Sequence, residues 1–208
     1  MQPWWNSRRA LAAILLCAGM FAALWPWGLR NQAVTGHFTL TTFWVGPSLY
    51  DGLNPEATGD SNMTFFDRDQ LLAEMSEYEM DQEYRRRAKE YARQHPARTV
   101  QLMFIKLGRY GALWPNAAQF RALWQRAIVG VSFSLLLFPA LYGTWLMRRQ
   151  AELLIVSWGP LLYFAAVHTL FVGSIRYRLP AEYPLAVLAA IGWNRVVERL
   201  FVARWAQN

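Results

Sequence analysis

The chain has 208 residues, 54% of them apolar and 11 of them Trp, and a formal net charge of +7. Its single cysteine, Cys17, excludes an internal disulfide, and with no CxxC, HExxH or Walker-type Gly-rich motif and with His37, His95 and His168 far apart, neither a metal nor a cofactor is expected. The basic excess flanks apolar runs, where it reports orientation and contact with anionic lipid, so no nucleic-acid partner is expected either.

The apolar residues gather into four runs, 10–29, 127–147, 153–172 and 179–197. Each is near the roughly 20 residues that cross a hydrocarbon core of about 30 Å. They predict an all-α integral membrane protein with about four transmembrane helices and a large, mostly helical outer loop between the first and second. The chain accordingly divides into a tail and first helix (1–29), an extracytoplasmic loop with amphipathic helices (30–126) and a three-helix membrane region with its tail (127–208).

Arg8 and Arg9 ahead of the first run also suit a signal peptide, but the run continues through Leu24-Trp25-Pro26-Trp27, which favours an uncleaved anchor. Trp25, Trp27, Trp114, Trp124, Trp145 and Trp193 all fall near span ends, where an aromatic belt is expected. The fourth run has Glu182 near its start and Arg195 near its end, which leaves 183–193 uncharged and its flanks to snorkel. Arg8, Arg9, Arg148, Arg149, Arg195, Arg199 and Arg204 would lie inside if both termini are cytoplasmic, while Arg30, Arg121, Arg126, Arg176 and Arg178 count against that orientation. The balance favours a multi-pass protein of the plasma (inner) membrane with cytoplasmic termini.

Within the loop, 35–44 alternates loosely and suggests a short strand before the turn-rich Gly46-Pro47, Gly52, Asn54-Pro55 and Gly59. Residues 67–94 read as a helix opened by an Asp67/Gln70 capping box, acidic first and basic later, with Asp81–Arg85 and Glu83–Arg87 pairs and a stop at His95-Pro96. Its apolar stripe comprises Leu71, Met75, Tyr78, Tyr84, Ala88 and Tyr91. Residues 97–114 place Val100, Met103, Phe104, Leu107 and Tyr110 at helical spacing and read as an interfacial helix whose Lys106 and Arg109 reach lipid phosphates. His168, in the third run, reads as a neutral imidazole bonded to a neighbouring helix.

At the outer end of the fourth run, Arg176 and Arg178 flank Tyr177. Guanidinium forks at headgroup depth suit a phosphate, and they equally suit plain snorkelling. The order Pro26-Trp27-Gly28-Leu29-Arg30-Asn31, Gly36, the run from Gly46-Pro47-Ser48 through Asn54-Pro55-Glu56 to Gly59, an acidic-to-basic helix ending at a Pro, and Arg176-Tyr177-Arg178-Leu179-Pro180-Ala181-Glu182-Tyr183-Pro184 resembles the C-terminal part of family 39-like glycosyltransferases of the GT-C superfamily. The resemblance covers nearly the whole chain and implies sugar transfer from a polyprenyl-phosphate donor on the outer membrane face. It implies that Arg176, Tyr177 and Arg178 bind the donor phosphate and that Arg30 and Asn31 order the loop over the donor.

The family's acidic motif, which follows its first span and supplies the catalytic carboxylate, has no counterpart here. Asp51, Glu56 and Asp60 sit among turn residues, for which turn formation is sufficient explanation, so no catalytic residue is assigned. The expectation is a partial or split glycosyltransferase chain that binds the membrane lipid-linked donor phosphate and takes its catalytic half from a second polypeptide. The alternative is a non-catalytic membrane protein that binds lipid phosphate or scaffolds another membrane protein.

Overall fold

A computed structural model describes residues 7–115 and 122–205; Arg121 and the Arg204 side chain lie outside the described residues. The elements are α1 (Ser7–Thr35), α2 (Val45–Gly52), α3 (Thr64–Asp69), α4 (Glu77–Gln94), α5 (Pro96–Gly111), α6 (Leu123–Leu146), α7 (Ala151–Leu170) and α8 (Leu179–Trp205), with short 3-10 turns at Leu71–Ala73 and Ile175–Arg178. Among the described residues there is no strand: of 35–44, where the sequence suggested one, Thr35 ends α1 and 36–44 is irregular. The reason is local. Asn31 Nδ2 donates to the Thr39 and Thr41 carbonyls, and Trp27 Nε1 donates to Thr41 as well, so side chains take acceptors that a ladder would use.

Three described helices, α1, α6 and α7, are long and apolar enough to cross a membrane. Leu11, Ile14, Leu15, Leu16, Met20 and Phe21 on α1 are all exposed. Leaving such side chains in water forgoes about 1.5–3 kcal/mol each, on the order of the whole stability of a soluble domain. An apolar solvent around α1 removes that cost. The start of α1 lies beside the start of α7, tied by Arg9 to Glu152 at 2.9 Å.

The α6–α7–α8 bundle is packed around Ala140, Leu185, Leu188 and Ala189, with Trp158 donating to Thr144 Oγ1 at 2.9 Å. The closest approach is between α6 and α8. A Cβ on Gly143 would overlap the Leu188 carbonyl oxygen, and one on Gly192 would overlap the Pro139 carbonyl oxygen, so two glycines let the backbones touch. Phe133 meets Arg178, just ahead of α8, while Gly143 meets Leu188, so α6 and α8 run in the same direction along one another.

The outer loop folds on its own core of Phe65, Leu71, Met80 and Tyr84. The helix expected over 67–94 is divided. Gln70 adopts a left-handed φ of 45° after α3, and α4 begins only at Glu77. The capping box belongs to Ser76 and Glu79 rather than to Asp67 and Gln70: Ser76 Oγ accepts from Glu79 N at 3.3 Å and Glu79 Oε2 accepts from Ser76 N at 2.9 Å. Both ion pairs expected within α4 form, Asp81–Arg85 at 2.6 Å and Glu83–Arg87 at 2.7 Å. Asp81, wholly buried, also accepts from Gly46 N and so neutralises the N-terminus of α2. The α4–α5 boundary falls at His95, where Pro96 opens the next helix.

Candidate functional site

After α7 the chain drops back toward the bundle through residues 171–178 before α8 begins. Gly173 N donates to the Gly59 carbonyl at 3.2 Å, which clips this segment to the outer loop. The 3-10 turn at Ile175–Arg178 then sets the two arginines on different faces, since three residues per turn place neighbours two apart about 120° from each other.

Arg178 turns inward. Its side chain is 3% exposed, and Nε pairs with Glu182 at 2.7 Å. Nη1 donates to the Tyr110 carbonyl at 3.1 Å and the Ala112 carbonyl at 2.8 Å, and the guanidinium lies 3.4 Å from the centre of the Phe133 ring. These acceptors are the orphan carbonyls at the C-terminus of α5, so Arg178 is its C-terminal cap and the joint of α5, α6 and α8. Arg176 remains exposed. It donates to the Tyr177 hydroxyl at 3.0 Å and lies over the Tyr177 ring at 4.9 Å.

The basic residues of α5 also turn away from the positions expected for lipid-phosphate contacts. Lys106 is fully buried and donates to the Thr169 and Leu170 carbonyls at 3.2 and 2.8 Å, capping the C-terminus of α7; Arg109 pairs with Asp60. A cation buried at such a site neutralises the negative end of the helix while meeting carbonyls that have no helical partner. His168 bonds through Nδ1 to the Val172 carbonyl at 2.9 Å, four residues on rather than on a neighbouring helix, and stacks on Tyr177 at 4.2 Å.

A cavity of about 570 Å³ opens beside this segment. Ile128, Val129 and Phe133 of α6 form its apolar wall; Arg176, Arg178, Glu182, Asp60 and Ser61 border it on the polar side. A second cavity, about 580 Å³, shares Ser61, Val172 and Arg176 with the first and extends to Thr41, Trp44, Asp51 and Tyr177. Arg176 therefore stands between the two. Asn31 does not touch either cavity but holds Thr41, which lines the second; Arg30 is exposed over the Trp27 ring at 5.0 Å and donates to Asn31 Oδ1 at 3.3 Å.

Asp51, for which turn formation was a sufficient explanation in the sequence, lies inside α2. It is 4% exposed and accepts from Ser61 Oγ at 2.7 Å and Asn62 N at 2.8 Å. Burial pushes its carboxyl above the ordinary range, with those two hydrogen bonds and Lys106 opposing. Glu56 pairs with Arg68 at 3.0 Å. Each of the loop acids singled out by the sequence is thus engaged within the protein. Among the described residues no group of three His, Cys, Asp or Glu side chains is placed to hold a metal. No protein-family model, no curated protein and no solved structure matches the chain.

Proposed function

We propose that this chain binds the phosphate of a polyprenyl-phosphate sugar at the outer face of the plasma (inner) membrane, with α8 as a fourth span and both termini cytoplasmic. The carrying observation is the 570 Å³ cavity, in which Arg176 and the Arg178–Glu182 pair face an apolar wall of Ile128, Val129 and Phe133. A phosphate with an isoprenoid tail is amphipathic in the same sense. In this reading Arg176 is the phosphate ligand and Arg178 holds the cavity's shape.

The reaction that such a site serves is displacement at the sugar's anomeric carbon. The acceptor oxygen forms the new bond as the bond from that carbon to the phosphate oxygen breaks, and Arg176 stabilises the charge left on the phosphate. The acceptor's proton goes to a carboxylate supplied by a second polypeptide, which makes this chain the donor-binding part of a split glycosyltransferase. One observation favours the non-catalytic alternative, binding of anionic lipid alone: Asp51, Glu56 and Asp60 are all committed to structural partners.

Binding measured in nanodiscs tests the proposal. A charge-assisted hydrogen bond contributes about 1.5–3 kcal/mol, so Arg176→Ala is expected to weaken polyprenyl-phosphate binding roughly tenfold to a hundredfold. Unchanged affinity returns Arg176 to headgroup snorkelling. Sugar transfer that appears only on co-expression of a second polypeptide supports the split enzyme; binding with no transfer supports the lipid-binding alternative.

A further inference from the structure

The depth of α5 relative to its neighbours departs from that of a helix lying on a membrane surface. Lys106 is level with the C-terminal end of α7, through Thr169 and Leu170, whereas Tyr110 one turn later donates its hydroxyl to the Leu161 carbonyl at 3.1 Å. Leu161 is nine residues back from Leu170, about 13 Å along the helix. A second marker agrees. The last carbonyls of α5 are joined through Arg178 to Phe133, ten residues into α6, about 15 Å from its start. Trp114, three residues past the end of α5, lies against Gly130, seven residues into α6.

Such a path needs its polar groups satisfied within the protein, because irregular backbone and charge at this depth have no water to turn to. They are satisfied. Arg98 donates to the Ala57 carbonyl, Lys106 to the end of α7, Arg109 to Asp60, and the end of α5 is capped by Arg178. α5 presents outward an apolar ridge, Val100, Phe104 and Leu107, exposed by 51%, 70% and 42%, with the exposed Gln101 beside its upper end accepting from Arg98.

We propose that α5 is a re-entrant helix that descends into the outer leaflet, with Val100, Phe104 and Leu107 in contact with lipid acyl chains. The occupant of the ridge is set by depth: its lower end lies alongside α7 and is joined to α6 through Arg178, and the outward residues Ile128, Val131, Leu162 and Tyr163 of those two helices are exposed to the same medium. The helix wedges lipid aside next to the cavity that holds Arg176. This claim depends on α6 and α7 crossing the membrane and is independent of any phosphate ligand.

The test is a depth measurement on the full chain in bilayers. Nitroxide labels go on Val100→Cys, Phe104→Cys and Leu107→Cys in a Cys17→Ser background, with collision by oxygen and by a water-soluble nickel chelate compared at each position. From position 100 to 107 the label should move up to about 10 Å deeper, with chelate access falling and oxygen access rising stepwise. Equal depth at all three positions means a helix lying on the surface and overturns the proposal; chelate access at all three as high as at a Glu90→Cys control on α4 also overturns it. Alkylation rates of the same unlabelled cysteines by a membrane-impermeant maleimide repeat the test with only the small thiol in place, and must fall in the same order.

Discussion

Arg178→Ala separates a structural arginine from a ligand-binding one. The substitution removes a 2.7 Å ion pair to Glu182, hydrogen bonds to two carbonyls at the end of α5 and a 3.4 Å contact over Phe133. Glu182, 19% exposed at the edge of the cavity, and the carbonyls of Tyr110, buried, and Ala112, partly buried, lose their partner. Cutting one member from a buried ion pair costs about 3–5 kcal/mol, and single hydrogen bonds to charged groups, about 1.5–3 kcal/mol each, do not add fully on top because they share one guanidinium. A loss of about 3–5 kcal/mol lowers the Tm by roughly 6–20 °C on the scale of soluble chains of this length. The assay is thermal unfolding in mild detergent beside polyprenyl-phosphate binding at low temperature. Arg178→Lys keeps the charge without the fork and should recover only part of the loss. Arg178→Ala with unchanged Tm and abolished binding would refute the assignment of Arg178 as a cap and restore it as a phosphate ligand.

Gly143→Leu drives a side chain into the Leu188 carbonyl and should separate α6 from α8, seen as loss of a disulfide engineered between them. Tyr84→Phe removes a buried hydroxyl that has no hydrogen-bond partner among the described residues, so thermal unfolding should show a gain of about 1 kcal/mol. Hydrogen bonds from Arg86 and Arg87 lower the Glu83 carboxyl to about 2. Because that folded value lies below the unfolded one, the stabilisation is present above about pH 4.5 and is lost as pH falls through about 2. Glu83→Gln should flatten this part of an acid titration of stability, and an unaltered profile would show that the pair contributes nothing.

The large periodicities were legible. Runs of about 20 apolar residues mark α1, α6 and α7, and the acid-before-base spacing within α4 forms the two ion pairs it implied. The break at Gln70 was obscured because acidic residues continue across it, although Ser76 followed by Glu79 is the stronger capping signature. The destinations of the cations were not legible at all. Lys106, Arg109 and Arg178 look like surface charges when only their own helix or turn is considered; each is turned inward by carbonyls or a carboxylate that lie at least 49 residues away or across a turn. Spacing along one helix carries no information about the ends of another.

In the proposed function a lipid-linked phosphate enters the cavity beside Arg176 from the membrane. A polyprenyl phosphate with a diazirine in its first isoprene unit, photolysed with the protein in bilayers and mapped by peptide mass spectrometry, tests it most directly. Adducts are expected on the wall formed by Ile128, Val129 and Phe133, and are lost in Arg176→Ala. Adducts spread over the outward faces of α1 and α7, at Leu15 or Ile155, and indifferent to Arg176, would contradict it.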